Sequence, residues 1–211
     1  FGTAFSMMFM SLFFFMMNVW HYSLLQAGLA VTPGPLLVMP TAIVTGRLAS
    51  RLGHRRFLVG GSLVCAGSSL WFLLVPGSEP QYLTHWLPGL MLSGIAVGLT
   101  LPSLSAAAVS RLPVAHYAVG SAVNQTARQV GGALGIAVLV TLIGSQRHLA
   151  DPLDGFDQLW AFAAATAVVS GVIGSFIPRP APRAVAEVDH LAEELPAIEA
   201  EALALGVEAA R

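Results

Sequence analysis

Long apolar runs, separated by short polar or proline- and glycine-rich breaks, fill most of this chain. Each run is about 20 residues long, the length that an α-helix needs to cross the hydrocarbon core of a bilayer. The six runs cover residues 2–20, 24–45, 57–75, 84–108, 118–144 and 158–177. The second run is the least regular, because Pro33, Gly34, Pro35 and Pro40 interrupt it, although neighbouring helices can re-satisfy the carbonyls that proline frees. The pattern predicts an all-α membrane protein built as a bundle of six transmembrane helices.

The arginines are unevenly distributed between the breaks. All ten basic residues are arginine, and seven of them follow the second, fourth and sixth runs, namely Arg47, Arg51, Arg55, Arg56, Arg111, Arg179 and Arg183. Only Arg147 follows an odd-numbered run. Because cytoplasmic loops carry an excess of Lys and Arg, we expect a multi-pass protein of the inner cell membrane with both ends of this chain in the cytoplasm.

Composition narrows the possible functions. The chain is 55% hydrophobic and 10% charged, with a mean hydropathy of +0.74, whereas about a quarter of the residues in soluble domains are charged. Its one cysteine cannot form a disulfide framework, and the HExxH, GxSxG and Walker sequences of enzymes and ATPases are absent. We therefore expect no enzyme, catalytic residue, metal, cofactor or nucleic-acid partner. Trp20 beside His21 and Trp86 beside His85 are predicted to form an interfacial aromatic belt.

The last part of the chain differs in character. Seven of the eleven acidic residues lie after residue 178, in a segment without aromatic residues. Its leucines could form one side of a weak amphipathic helix, but acidic segments of this kind are more often solvated. We expect a transmembrane lobe over residues 1–178 and a cytoplasmic acidic tail over residues 179–211 that is weakly helical or disordered. Since the chain begins on an apolar run without a charged leader, we expect a piece of a longer protein.

An arginine inside the fifth run is the most informative residue. Arg128 lies about ten residues into that run, which predicts a position near the middle of the bilayer, where ionisable residues are costly and usually functional. Polar residues at helical spacing accompany it. We expect Arg128, Asn124, Gln125 and Gln129 to line a substrate pathway. The alternatives are that Arg128 reaches the cytoplasmic surface or holds a neighbouring helix, and whether it contacts substrate stays open.

Small residues and aromatic residues mark two further features. Gly94, Gly98 and Pro102 recur at intervals of four, and Gly131, Gly132 and Gly135 follow Arg128. Small residues at this spacing let helices approach closely, so we expect these six residues at helix contacts, including an interface that rocks. The first run concentrates phenylalanine and methionine. Contact with lipid is the expected role of that surface, with binding of apolar ligands as the alternative.

Two stretches resemble a known family. The segment from Gly46 to Arg56, GRLASRLGHRR, resembles the loop signature of the major facilitator superfamily, with Gly46, Arg47, Arg51, Gly53, Arg55 and Arg56 at its matching positions. Residues 94–102 and 124–135 look like the C-terminal half of the 14-span drug:proton antiporter branch, the EmrB/QacA type. Ser50 occupies the acidic position of the signature, so the carboxylate that the family uses there is missing.

The resemblance implies a function. It implies the C-terminal six-helix lobe of a carrier that binds a small lipophilic substrate between two lobes and exports it by alternating access. The expected partners are membrane lipid, the missing N-terminal lobe and a coupling proton. No predicted span contains Asp or Glu, so the coupling carboxylate is expected in the missing lobe. A carrier of a specific metabolite, such as a sugar or an organic anion, and a non-transporting scaffold or sensor are the alternatives.

Overall fold

The computed structural model describes residues 1–110, 112–145 and 153–177, and the side chains of residues 50, 51, 114, 145 and 154 are not described. Residues 1–177 belong to one compact unit. Within the described ranges all regular structure is helical. The seven α-helices are α1 (Gly2–Asn18), α2 (Leu24–Val31), α3 (Pro33–Leu52), α4 (His54–Leu74), α5 (Leu87–Val109), α6 (Tyr117–Ser145) and α7 (Leu153–Ser175). A π-helical turn, Tyr82–Trp86, precedes α5. The acidic tail lies outside the described residues and stays a prediction.

The helices confirm the predicted membrane fold. Among the described residues, five segments are long and apolar enough to cross a bilayer, namely Leu24–Ala49, His54–Leu74, Tyr82–Val109, Tyr117–Gly144 and Gly155–Ser175. The remaining predicted span is the first, which forms α1. It has 17 residues and therefore a length of about 25 Å, at the short end of the range for spanning helices. The second predicted span is divided into α2 and α3 at Thr32, although Thr32 keeps helical dihedral angles of φ −54° and ψ −38°. The break is one of hydrogen bonding, because Pro33 and Pro35 have no N–H to donate to the preceding turn.

The segment that carries the arginine signature is mostly helical, whereas the sequence predicted a loop over residues 46–56. The helix α3 continues to Leu52 and α4 begins at His54, so Gly53 alone separates them. Gly53 has φ 84° and ψ 140°, and its N–H donates to the Ala49 carbonyl at 3.0 Å. The predicted span stopped too early because a hydropathy pattern shows where apolar residues give way to polar ones. The backbone hydrogen bonds of the helix continue beyond that point.

The conformation of Gly53 gives a testable expectation. Only glycine adopts this region of φ and ψ without strain, and other residues pay about 1–3 kcal/mol there. We expect Gly53→Ala to lower the melting temperature of the detergent-purified full-length protein. The control is Gly46→Ala, since Gly46 is helical and a Cβ added there would have no neighbour within 4 Å. Equal melting temperatures for the two variants would contradict the strain assigned to residue 53.

The helix bundle has two ends. The Gly53 end is where α3, α5 and α7 end and α4 and α6 begin, and the Trp86 end is the opposite one. The helix α4 packs most extensively on α7 and α5, α3 packs on α5, and α1 packs on α6 and α7. These contacts place α3 and α6 at the two sides of the helix arrangement. The apolar stretches of α3 and α6 are also the least buried. Within them 17% of the residues are buried, against 33–39% in the apolar stretches of α4, α5 and α7.

Aromatic side chains form the core of the Trp86 end. Phe15, Trp20, Phe72, Trp86, Phe156 and Trp160, called here the aromatic cluster, have neighbouring ring centroids 4.8–6.5 Å apart. Trp20 is 6% exposed and Trp86 is fully buried, so the predicted interfacial belt is wrong for both. Helix-to-helix packing encloses their rings, which proximity to a span end in the sequence cannot reveal.

Candidate functional site

A cavity of about 300 Å³ lies near the Gly53 end. The helices α1, α4, α5, α6 and α7 all contribute to its wall. Its polar lining side chains are Ser62, Thr100, Asn124, Arg128 and Ser170, and its apolar ones include Leu58, Leu104 and Ile173. A small pocket with an apolar wall and a few converging polar groups is the usual form of a ligand site. It is called the Arg128 cavity below.

The guanidinium of Arg128 is held by its own helix. It donates to Oε1 of Gln125, one helical turn earlier, and the residue is partly buried. The start of α1 packs against this turn of α6, since a Cβ on Gly2 would lie 3.1 Å from the Arg128 carbonyl oxygen. Arg128 is thereby fixed at the wall of the cavity, with donors available to a ligand.

The Arg128 cavity reaches the Gly53 end of the bundle. Leu58, the fifth residue of α4, and Ile173, two residues before the end of α7, share this cavity with Arg128. These residues lie only about 3–6 Å from the Gly53 ends of their helices. Thr100, which also lines the cavity, lies nine residues before the end of α5, so the cavity extends inward from the Gly53 end. The position of Arg128 near the middle of the bilayer stays a prediction.

The four predicted pathway residues are divided by the structure. Arg128 and Asn124 line the Arg128 cavity together, and Gln125 contacts it only through Arg128. Gln129 is exposed and is not among the lining residues. The helical rotation of about 100° per residue separates it from Arg128.

The serine and threonine side chains of the cavity were missed in the sequence. Ser62 and Ser170 place their hydroxyl oxygens 3.5 Å apart, and the Thr100 hydroxyl donates to the Ala96 carbonyl at 2.8 Å. Each lies within an apolar run, on α4, α7 and α5 respectively. Hydroxyl residues inside predicted spans were the available signal, but single serines are common in membrane helices, and only the fold brings these three together.

The predicted packing residues make contacts inside the lobe. A Cβ on Gly94 would overlap the Gly34 carbonyl oxygen, and one on Gly98 would lie 2.6 Å from Thr41 Cβ, so both glycines allow α5 to approach α3. Gly131, Gly132 and Gly135 face Thr3 and Ser6 of α1. Pro102 lies within α5, which remains helical on both sides of it. A part for these six residues in a rocking interface stays a prediction.

Charge is strongly separated between the two ends. The described acidic residues before residue 178 are Glu79, Asp154 and Asp157, and they fall in or beside the connections of the Trp86 end. Arg47, Arg55 and Arg56, like the Arg128 cavity, lie at the Gly53 end. Among the described residues, no carboxylate lines the Arg128 cavity.

One expectation about acidic residues is wrong. The helix α7 begins at Leu153, and the segment able to span a membrane begins at Gly155. Asp157 therefore lies inside a candidate span, although the sequence predicted none with Asp or Glu. The predicted span began after the last charge, whereas the helix itself starts five residues earlier.

Known proteins match this chain over most of its length. The sequence model of the Major Facilitator Superfamily matches residues 1–136. The puromycin resistance protein of Streptomyces alboniger is 32% identical over 137 residues, covering 64% of this chain and 27% of that protein. The tetracenomycin C resistance and export protein of Streptomyces glaucescens is 32% identical over 184 residues, 85% of this chain and 30% of that protein.

A third relative agrees with these two. The lincomycin resistance protein of Streptomyces lincolnensis is 35% identical over 141 residues, covering 66% of this chain and 28% of that protein. The chain thus spans under a third of the length of these three relatives. With its helical membrane fold, and with a family match over more than half of its residues, the chain belongs to the Major Facilitator Superfamily.

Proposed function

We propose that this chain is the C-terminal lobe of a transporter that exports small lipophilic molecules by alternating access, driven by a proton gradient. The observation that carries the proposal is the Arg128 cavity, an amphipathic site in a lobe of a transporter family. The names of the relatives, which describe resistance to puromycin and lincomycin and export of tetracenomycin C, support export of drug-like molecules.

A partner lobe completes the proposed transporter. The apolar stretches of α3 and α6 are the least buried of the spanning segments. Their exposure supports a second lobe and membrane lipid as the groups that cover these two helices. In such carriers the substrate site lies between two lobes that rock against each other. The glycine contacts of α5 with α3 and of α6 with α1 would hold this lobe together during the movement.

The proposed orientation places the Gly53 end in the cytoplasm of the cell, with the protein in the inner membrane. The arginines of α3 and α4 at this end support it, because positively charged residues are retained on the cytoplasmic side. Residues 1–178 would then form the membrane lobe, and residues 179–211 a cytoplasmic acidic tail.

Efflux from energised cells that express the full-length protein tests this function. The probes are three fluorescent lipophilic dyes of similar size, one cationic, one neutral and one anionic. We expect export of at least one dye, loss of that export when an ionophore collapses the proton gradient, and a loss of about tenfold or more in Arg128→Ala at equal membrane abundance. Gln129→Ala, one residue away and outside the cavity, is the matched control and should retain export.

Other outcomes would overturn parts of the proposal. Absence of export for all three dyes would favour a carrier of one metabolite or a scaffold. Export that survives collapse of the proton gradient would exclude proton coupling. Export that is equal in Arg128→Ala and Gln129→Ala would limit Arg128 to a packing role.

A further inference from the structure

Four phenylalanines form a continuous stack along α1. Phe1, Phe5, Phe9 and Phe13 recur every four residues, and successive ring centroids are 6.5, 5.8 and 5.4 Å apart. All four side chains are partly exposed, unlike Phe15, which is buried in the aromatic cluster. We call these four residues the Phe stack. It extends over about 18 Å of helix and presents ring surface that the lobe itself does not cover.

The Phe stack meets the Arg128 cavity at Phe1. Phe1 lines that cavity together with Thr100 and Leu104 of α5 and with Asn124 and Arg128 of α6. One surface therefore leads from a guanidinium and an amide to a row of aromatic rings. Aromatic rings bind other rings at centroid distances of about 4.5–7 Å, so the stack suits planar aromatic molecules.

Charge decides which aromatic molecules fit. Arg128 is permanently cationic, and the described carboxyl side chains before residue 178, Glu79 and Asp157, belong to segments at the Trp86 end. A partly buried arginine attracts an anion and repels a cation, and it can bind a carboxylate through two parallel hydrogen bonds. The hydroxyls of Ser62 and Ser170, which also line the cavity, can donate to the same anion.

We propose that the Arg128 cavity and the Phe stack form one subsite for planar aromatic acids. The carboxylate binds Arg128 and Asn124, and the ring system lies on Phe1, Phe5 and Phe9. The subsite discriminates against aromatic amines of the same size. This inference rests on the proposed export function and names the class of substrate for the same site.

Equilibrium binding to the purified full-length protein tests the subsite. The probes share one ring system and differ in charge: anthracene-9-carboxylate, 9-anthracenemethanol and 9-(aminomethyl)anthracene, each followed by its fluorescence anisotropy. We expect the carboxylate to bind about tenfold tighter than the amine. Arg128→Gln should remove this preference, and Arg128→Lys should retain part of it because the positive charge remains.

A second pair of variants tests the rings. Phe9→Leu should weaken binding of all three probes by a similar factor of about three or more, because it removes ring contact and leaves the charge unchanged. Phe14→Leu is the matched control, since Phe14 is 41% exposed and is not a member of the Phe stack. It should leave all three affinities unchanged.

Equal binding of the amine and the carboxylate, or a carboxylate preference that persists in Arg128→Gln, would overturn the inference. So would equal effects of Phe9→Leu and Phe14→Leu. The dye experiment separates this failure from failure of the proposed function. Energised export of neutral or cationic dye, together with no preference for the carboxylate probe, would retain the exporter and reject the aromatic acid as its ligand.

Discussion

Trp86→Ala is expected to destabilise the lobe by about 3–5 kcal/mol, the usual effect of deleting a buried tryptophan side chain. Trp86 is fully buried, and its ring centroid lies 4.8 Å from Phe72, 5.0 Å from Trp20 and 5.1 Å from Phe15. Its removal leaves a void between α1, α4 and the start of α5. The melting temperature of the full-length protein in detergent should fall by several degrees.

Two further substitutions isolate the cause. Trp86→Phe keeps an aromatic ring and removes an indole N–H that has no hydrogen-bond partner among the described residues, so its loss should be less than half that of Trp86→Ala. Leu83→Ala, in the same π-helical turn and 73% exposed, should change the melting temperature little. Equal loss in Trp86→Ala and Leu83→Ala would show that the aromatic cluster does not stabilise this end.

Alanine substitutions along the glycines of α6 should produce a graded loss of stability. A Cβ at Gly135 would overlap the Thr3 carbonyl oxygen and lie 3.2 Å from two further backbone atoms of Thr3. Backbone cannot rotate away, so α1 and α6 must separate. We expect a loss of about 2–3 kcal/mol for Gly135→Ala, as for overpacking elsewhere in proteins.

The other glycines provide internal comparisons. At Gly132 the nearest atom is the Ser6 hydroxyl oxygen, at 2.9 Å, which a side-chain rotation can move, and at Gly131 it is the Thr3 nitrogen, at 3.4 Å. Gly144, on the same helix, has nothing within 4 Å. The melting temperatures should therefore rank Gly135→Ala lowest, then Gly132→Ala, then Gly131→Ala, with Gly144→Ala near wild type. An equal fall in all four would indicate a general effect of alanine and not the contact with Thr3.

The sequence predicts the fold of this protein more completely than it predicts the residues of the candidate site. The spans follow from apolar length, since nothing except a helix satisfies the backbone polar groups of such runs in lipid. Their ends are less accurate: Asp157 and Gly46 lie inside helices because helical hydrogen bonds continue past the apolar run. Arg128 and Asn124 could be predicted as site residues, because they are polar residues within apolar runs long enough to span a bilayer. Ser62, Thr100 and Ser170 could not, because a hydroxyl residue alone carries little information.

The sequence by itself determined the class of this protein: helices of membrane length, an excess of arginine at one end, a signature segment and an arginine within a span. These are local properties, set by hydrophobicity and charge over neighbouring residues. The tertiary structure decided which residues meet. It placed Trp86 in a core and not at an interface, brought Arg128 into one cavity with residues of α4, α5 and α7, and joined the Phe stack to the Arg128 cavity at Phe1. Such contacts depend on the relative rotation and translation of whole helices, which packing between distant segments fixes.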